Sequence, residues 1–274
     1  MSSEMQTDSK TLLRLDQADS GPLGVDLPMG SIAGLSLRCP EKEGPNEDCA
    51  FVASYGSDAL VLAVADGAGG LPAGYRASGA AIQALADSLQ HSAADGILLR
   101  TAVLNGIEAA QTAVLSLSNG SATTLTIVAI EADSARCYHV GDSAALIVGQ
   151  RGKLKLETIP HSPTGFAVEA GFLNASDALF HEHRHLVSNF IGDSEMRIEV
   201  GKTLVLARKD TVLVATDGLF DNLQQDEIVD IIRSGPIAEA ANQLAAMARQ
   251  RMMKPESALP SKPDDLSLLL FRLA

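Results

Sequence analysis

Apolar residues along this chain fall into two rhythms. Residues 50–55 (AFVASY) and 59–65 (ALVLAVA) are short apolar runs separated by Gly-Ser-Asp, which predicts two strands joined by a turn. Residues 74–90 and 97–117 are rich in Ala and Leu, with apolar positions at helical spacing, and predict a pair of helices. A β-rich stretch follows. Runs at 123–131, 135–140, 144–149, 154–159, 202–207 and 211–216 are short and β-branched, and several are linked by Gly, Asp or Lys turns. Helices are predicted again at 225–233 and 236–253, with Pro236 suited to a first turn. A last strand spans 266–273.

Strands linked as hairpins, with helices arriving in pairs, do not alternate as βαβ units. The pattern predicts an α+β fold, with antiparallel sheets and helices segregated on their faces. Two sheets stacked face to face under helices fit the count. Residues 1–30 are polar and end in GPLGVDLPMG, so they read as a flexible N-terminal tail. No repeat or second linker divides residues 31–274, which read as one domain.

Composition narrows the function. Among 274 residues, 34 are acidic and 21 basic, a formal net charge of −13. Such a surface repels phosphate backbones, so no nucleic-acid partner is expected. No 18-residue apolar window and no basic, apolar leader occur, so neither a membrane span nor a secretory signal is expected. Cys39, Cys49 and Cys137 are too few and too scattered for a disulfide framework or a zinc site. A cytoplasmic monomer is the expectation.

The acidic residues recur at one kind of place, beside the end of an apolar run. Asp66-Gly67 follows VLAVA, and Asp217-Gly218 follows VLVAT, with Asp221 four residues on. Asp142 lies between two runs, Asp264-Asp265 precedes the last and Glu47-Asp48 the first. One Asp-Gly after a strand is an ordinary turn. Five such sites converging in one domain need a compensating charge. A glycine also lets the backbone approach closely and offer its carbonyl as a ligand. All-oxygen ligands suit hard divalent ions, Mg2+ or Mn2+, rather than zinc.

These segments match a family in order and spacing. PNEDCAFV, VADGAGGLPAGYRAS, NGSATTLTIV, HVGDSAAL, ATDGLFDNL and PDDLSLLL resemble the successive motifs of the metal-dependent (PPM, type 2C) protein serine/threonine phosphatases in their bacterial form, across residues 31–274. The resemblance implies a four-layer αββα sandwich of two stacked antiparallel sheets flanked by helices. It implies that Asp48, Asp66, Gly67 (through its carbonyl), Asp217 and Asp264 hold two core Mn2+ or Mg2+ ions. Asp142 and Asp221 help hold a third, weaker ion, and Glu47 orients waters. With Asp48, Asp66 and Asp217, Glu47 makes up the implied catalytic set. Such an ion pair activates water for direct attack on phosphorus, with no covalent enzyme intermediate. The implied partner is a phosphoprotein modified by a serine/threonine kinase.

Three departures stand out. Where many members carry a phosphate-binding arginine four residues before Glu47, this chain has Glu43. Lys42 and, further back, Arg38 are the candidate phosphate contacts. Ala68 follows the first Asp-Gly where eukaryotic members have a histidine, and His161 reads as a loop residue. Asp265 replaces the usual asparagine and would either tighten the metals or face solvent. The segment HEHRH would align His181, His183 and His185 on one face if extended, although an exposed polar edge is the simpler reading. Two alternatives stay open: a catalytically silent binding module on the same fold, and a hydrolase of small phosphate esters.

Overall fold

The structure, a computed structural model, describes residues 9–16, 19–68, 73–256 and 258–274. Its strands are β1 (Ser9–Asp16), β2 (Ser20–Leu27), β3 (Gly30–Leu37), β4 (Asp48–Tyr55), β5 (Ala59–Asp66), β6 (Leu125–Glu131) and β7 (Ser134–Val140). They continue with β8 (Ala144–Val148), β9 (Leu154–Glu157), β10 (Glu199–Val200), β11 (Leu204–Val205), β12 (Thr211–Ala215) and β13 (Leu266–Leu273). The helices are α1 (Gly74–Ala94), α2 (Leu99–Ser116), α3 (Pro163–Glu169), α4 (Ala175–Ala178), α5 (Asp217–Phe220), α6 (Gln225–Ile232) and α7 (Ile237–Met253).

One sheet runs β1-β4-β5-β6-β7-β10, with β11 also on β7, and the other runs β2-β3-β13-β12-β8-β9. The pairings within both are antiparallel. Strand periodicity sorts the side chains. On β4, Cys49, Phe51, Ala53 and Tyr55 meet α1 and α2, while Ala50 and Val52 face the other sheet. On β13, Leu266, Leu268 and Leu270 join the layer under α6 and α7, while Leu269 and Phe271 enter the seam between the sheets. Both faces of the central strands are therefore buried, which is why they read as unbroken apolar runs. Three apolar layers make the four-layer αββα sandwich that the resemblance implies.

The reading of residues 1–30 as a flexible tail is corrected for the described residues among them; residues 1–8, 17 and 18 lie outside the described residues. β1 borders the first sheet, pairing with β4, and β2 borders the second, pairing with β3. Leu13 and Leu15 alternate into the seam. β2 hides its strand character because an edge strand tolerates Pro22 and Gly24 and buries little. The run at 202–207 contributes only the two-residue β11. Residues 181–185 form turns rather than a strand, so the three histidines share no strand face. The helices α3 and α4, in the segment after β9, have no counterpart in the sequence reading.

Candidate metal centre

Both sheets bring their acidic strand ends to one rim. Asp48 opens β4 and Asp66 closes β5, and the two are directly paired across the ladder. In the other sheet Asp217 follows β12 as the first residue of α5, and Asp264 lies two residues ahead of β13. Asp142 sits in the turn from β7 to β8, where the chain passes between sheets. The Thr216 hydroxyl donates to Asp48 Oδ2 at 2.7 Å and so ties the two sheets at this rim.

Close backbone approach explains two glycines. A Cβ on Gly67 would lie 2.3 Å from the Gly74 carbonyl oxygen, and one on Gly218 would lie 1.9 Å from that of Asp265. Only hydrogen fits at either place. The Gly67 N–H donates to the Glu47 carbonyl at 3.0 Å, and the Asp66 carbonyl accepts from Thr124 N–H at 2.8 Å and Thr123 Oγ1 at 2.7 Å. The chain that carries Asp66 and Gly67 is thus held from both sides. Gly218 lets α5 pack against the chain at Asp265, and the Asp221 N–H closes the helical turn on the Asp217 carbonyl at 2.7 Å.

The carboxylates crowd one another out of water. Burial, then neighbouring Asp265, raises the Asp48 pKa well above the usual carboxylate range. Burial and then Asp48 do the same to Asp66, and burial and then Asp217 to Asp142. Asp221 is pushed up to about 6 and Asp264 to about 7, again by burial first and Asp217 second. Asp48 Oδ1 and Asp217 Oδ1 are buried with no hydrogen-bond donor among the described residues. Donor-free anionic oxygens in a crowded acidic pocket are what a hard divalent cation takes, so the residues fit the ions that the resemblance implies.

Two lysines already serve this cluster. Lys262 was missed in the sequence, although it stands two residues before Asp264. Its ammonium pairs closely with Asp217 Oδ2, and lies 2.9 Å from Asp221 Oδ2 and 3.2 Å from Asp264 Oδ2. Burial disfavours its charge, but Asp217, Asp221 and Asp264 outweigh that and raise its pKa. Lys42 donates to Glu47 Oε2 at 2.9 Å and Asp265 Oδ2 at 2.6 Å. Asp265 does not face solvent. It is 2% exposed, and it also accepts from the N–H groups of Cys39 and Glu47, both at 2.7 Å. Arg38 is exposed and reaches the Gly44 carbonyl at 3.3 Å.

His161 lies in the loop between β9 and α3, and its side chain is buried and structural. Its Nδ1 accepts from Gly141 N–H at 3.1 Å and Asn189 Nδ2 at 2.8 Å, and its Nε2 donates to Glu199 at 3.2 Å. It stacks on buried His139 with ring centroids 4.2 Å apart. Near-parallel imidazoles direct their in-plane lone pairs side by side, so the pair makes a poor chelate. Its bonds instead fix the turn that carries Asp142. In the HEHRH segment the consequential residue is Arg184. It donates to the carbonyls of Leu179 and Ser261, fastening the segment to the loop that bears Lys262.

A sandwich of two antiparallel sheets between helices, with an acidic rim built from both sheets, defines an α+β protein whose rim carries the donor set that suits a divalent cation. Residues 38–256 match the model of the protein phosphatase 2C family, and the chain belongs to that family. It is 30% identical over 208 residues to the serine/threonine protein phosphatase PstP of Mycobacterium tuberculosis, a match covering 74% of this chain and 39% of PstP. A match to the serine/threonine phosphatase stp of Listeria welshimeri, 27% identical, covers 69% of this chain and 78% of that protein. The chain thus spans well under half of the PstP length. The structure of the Streptococcus agalactiae serine/threonine phosphatase superposes with a TM-score of 0.75 at 25% identity, covering 89% of this chain and 99% of that one. A PstP catalytic domain in complex with two manganese ions superposes with a TM-score of 0.71 at 23% identity, covering 89% and 97%.

Proposed function

We propose that the chain is a metal-dependent protein serine/threonine phosphatase that hydrolyses phosphoserine and phosphothreonine on proteins phosphorylated by a serine/threonine kinase. The observation that carries this reading is the convergence of Asp48, Asp66, Asp217 and Asp264 from both sheets, with buried oxygens on Asp48, Asp217 and Asp221 that accept no hydrogen bond among the described residues. Asp48, Asp66, the Gly67 carbonyl, Asp217 and Asp264 would hold two Mn2+ or Mg2+ ions. Asp142 and Asp221 would serve a third, weaker one. When bound, such ions neutralise phosphate charge and make water a stronger nucleophile at neutral pH.

The chain's own residues do the rest. Thr216 and the β4–β5 ladder hold Asp48 and Asp66 in fixed relation, so little reorganisation is needed when substrate binds. Glu47 lies beside Asp48, its carboxylate accepting from the Lys42 ammonium at 2.9 Å, and would orient water there. Lys42 is the nearer cation for an incoming phosphate, but its ammonium is already shared by Glu47 and Asp265, so a phosphate must share it too. Arg38 is the exposed alternative. No cysteine is needed as a nucleophile: Cys49 and Cys137 are buried, and burial pushes the Cys137 thiol up to about 12. Among the described residues no helix is long and apolar enough to cross a membrane.

The test is hydrolysis of a phosphothreonine peptide and of p-nitrophenyl phosphate by the full chain, with Mn2+, with Mg2+ and after chelation. Turnover that needs added metal and stops with chelator is expected. Full turnover in a metal-stripped sample would remove the metal mechanism, and no turnover under any condition would favour a silent binding module.

A further inference from the structure

Lys262 stands where the acidic cluster is densest, and the fold takes trouble to keep it there. Its backbone is clamped twice by the fully buried Asn222. Asn222 Nδ2 donates to the Lys262 carbonyl at 2.8 Å, and the Lys262 N–H donates to Asn222 Oδ1 at 2.8 Å. Asn222 Nδ2 also reaches the Gly218 carbonyl at 3.0 Å, so one side chain sets the lysine against α5. The preceding residue is anchored as well: Arg184 Nη2 donates to the Ser261 carbonyl at 2.7 Å, and Ser261 Oγ donates to the Arg251 carbonyl at 2.9 Å. Pro263 then limits the backbone on the other side.

What this scaffold presents is an ammonium among three carboxylates. Asp217, Asp221 and Asp264 are the same groups that the proposed function assigns to divalent ions, and the inference rests on that reading. An ammonium is a compact point charge with three donors on a flexible stem. It therefore pairs with several carboxylates at once, and it can also withdraw. Asp217 Oδ2 and Asp221 Oδ2 already face that ammonium, so a hard cation that draws on these two oxygens meets a like charge at contact distance unless the lysine yields. Lys42 differs, because its partners Glu47 and Asp265 are not assigned as direct ligands.

We propose that Lys262 is a built-in competitor of the divalent cation: its ammonium neutralises Asp217, Asp221 and Asp264 in the metal-free chain and must be displaced from them as metal binds. The lysine thereby weakens the ions at the α5 end of the cluster and leaves those at the Asp48–Asp66 end largely alone. It also keeps the metal-free chain folded by relieving repulsion that would otherwise act among three buried charges.

The experiment is a Mn2+ titration of the metal-stripped full chain, followed by the electron paramagnetic resonance signal of free Mn2+, for wild type, Lys262→Met and Lys262→Gln. The classes of bound Mn2+ that draw on Asp217, Asp221 or Asp264 are expected to tighten by roughly tenfold or more in both variants, since an opposing charge at contact distance is removed. Thermal melting supplies a second readout. Without metal the variants should melt below wild type, and saturating Mn2+ should raise their Tm by more than it raises that of wild type. If Lys262→Met does not fold without metal, it is refolded in Mn2+ and compared with Lys262→Gln by the same titration on dilution. Superimposable isotherms, or weaker binding in the variants, overturn the competitor role while leaving the metal site standing. No Mn2+ bound by any of the three overturns both. Hydrolysis is not read in this titration, so a failed phosphatase assay and a failed competition remain separate results.

Discussion

Asp48 accepts from the Thr216 hydroxyl at one oxygen and has no donor for the other among the described residues, so its charge is stable only against a cation. The same holds for Asp217, whose second oxygen depends on Lys262. Replacing Asp66 or Asp217 by asparagine keeps size and shape but removes a charge that is proposed to hold a metal. Each change should lower kcat by roughly a hundredfold or more at saturating Mn2+, with an unchanged circular dichroism spectrum. Near wild-type turnover in either variant would exclude that residue from the ion site. The cations at the margin are distinguished by KM. A charge that attracts the phosphate dianion equally in ground and transition states appears in KM rather than in kcat. Lys42→Ala and Arg38→Ala should therefore be measured on one phosphopeptide. The larger rise in KM is expected for Lys42→Ala, and a rise confined to Arg38→Ala would transfer the contact to Arg38.

At the scale of elements, the site depends on how α5, α6 and α7 are locked together. Gln224 and Glu227 form a capping box at the start of α6, and the Glu227 carboxylate is gripped by Arg251 of α7 through contacts of 2.9 and 2.5 Å. Arg251 also donates, at 2.7 Å, to the carbonyl of Asn222, the residue that clamps Lys262. Arg251→Met should cost about 3 kcal/mol, read as a lower denaturant midpoint, because it strands a half-buried carboxylate and an inward carbonyl. The helices of this network were legible in the sequence, since 225–233 and 236–253 carry strong 3.6-residue periodicity and their bounds nearly coincide with α6 and α7. Elements without a periodic apolar stripe were not legible. β2 exposes most of its residues, and α3 and α4 are too short for a stripe to show. The aspartates could be found because each adjoins a strand end that periodicity already marks. Lys262 could not, because nothing local distinguishes a lysine folded inward among carboxylates from one in solvent. Its position is a product of three distant segments. His161 is a loop residue, as read, but its burial was not legible for a similar reason: its partners lie 20 and 28 residues away.

At the scale of the whole molecule, the acidic rim makes stability depend on pH and metal together. Unfolded aspartates titrate near about 4. In the metal-free fold Asp221 and Asp264 are raised to about 6 and about 7, and Asp48, Asp66 and Asp142 are also raised. Between those limits the folded chain binds more protons than the unfolded one, so its stability falls as pH rises. Metal-free protein should therefore melt at a higher temperature near pH 5 than near pH 8. Saturating Mn2+ should reverse that order, since the ions bind the deprotonated carboxylates. A flat profile without metal would mean that the carboxylates are already balanced. The hydroxyl bridge from Thr216 to Asp48 carries a mechanical meaning as well. Asp48 and Asp66 belong to one sheet, Asp217 and Asp264 to the other, and whatever cation they share acts as a clasp across the seam. Pulled apart in a force experiment, the two halves of the sandwich should part at a higher load with the clasp fastened, so that the strength of the fold would report the occupancy of its site.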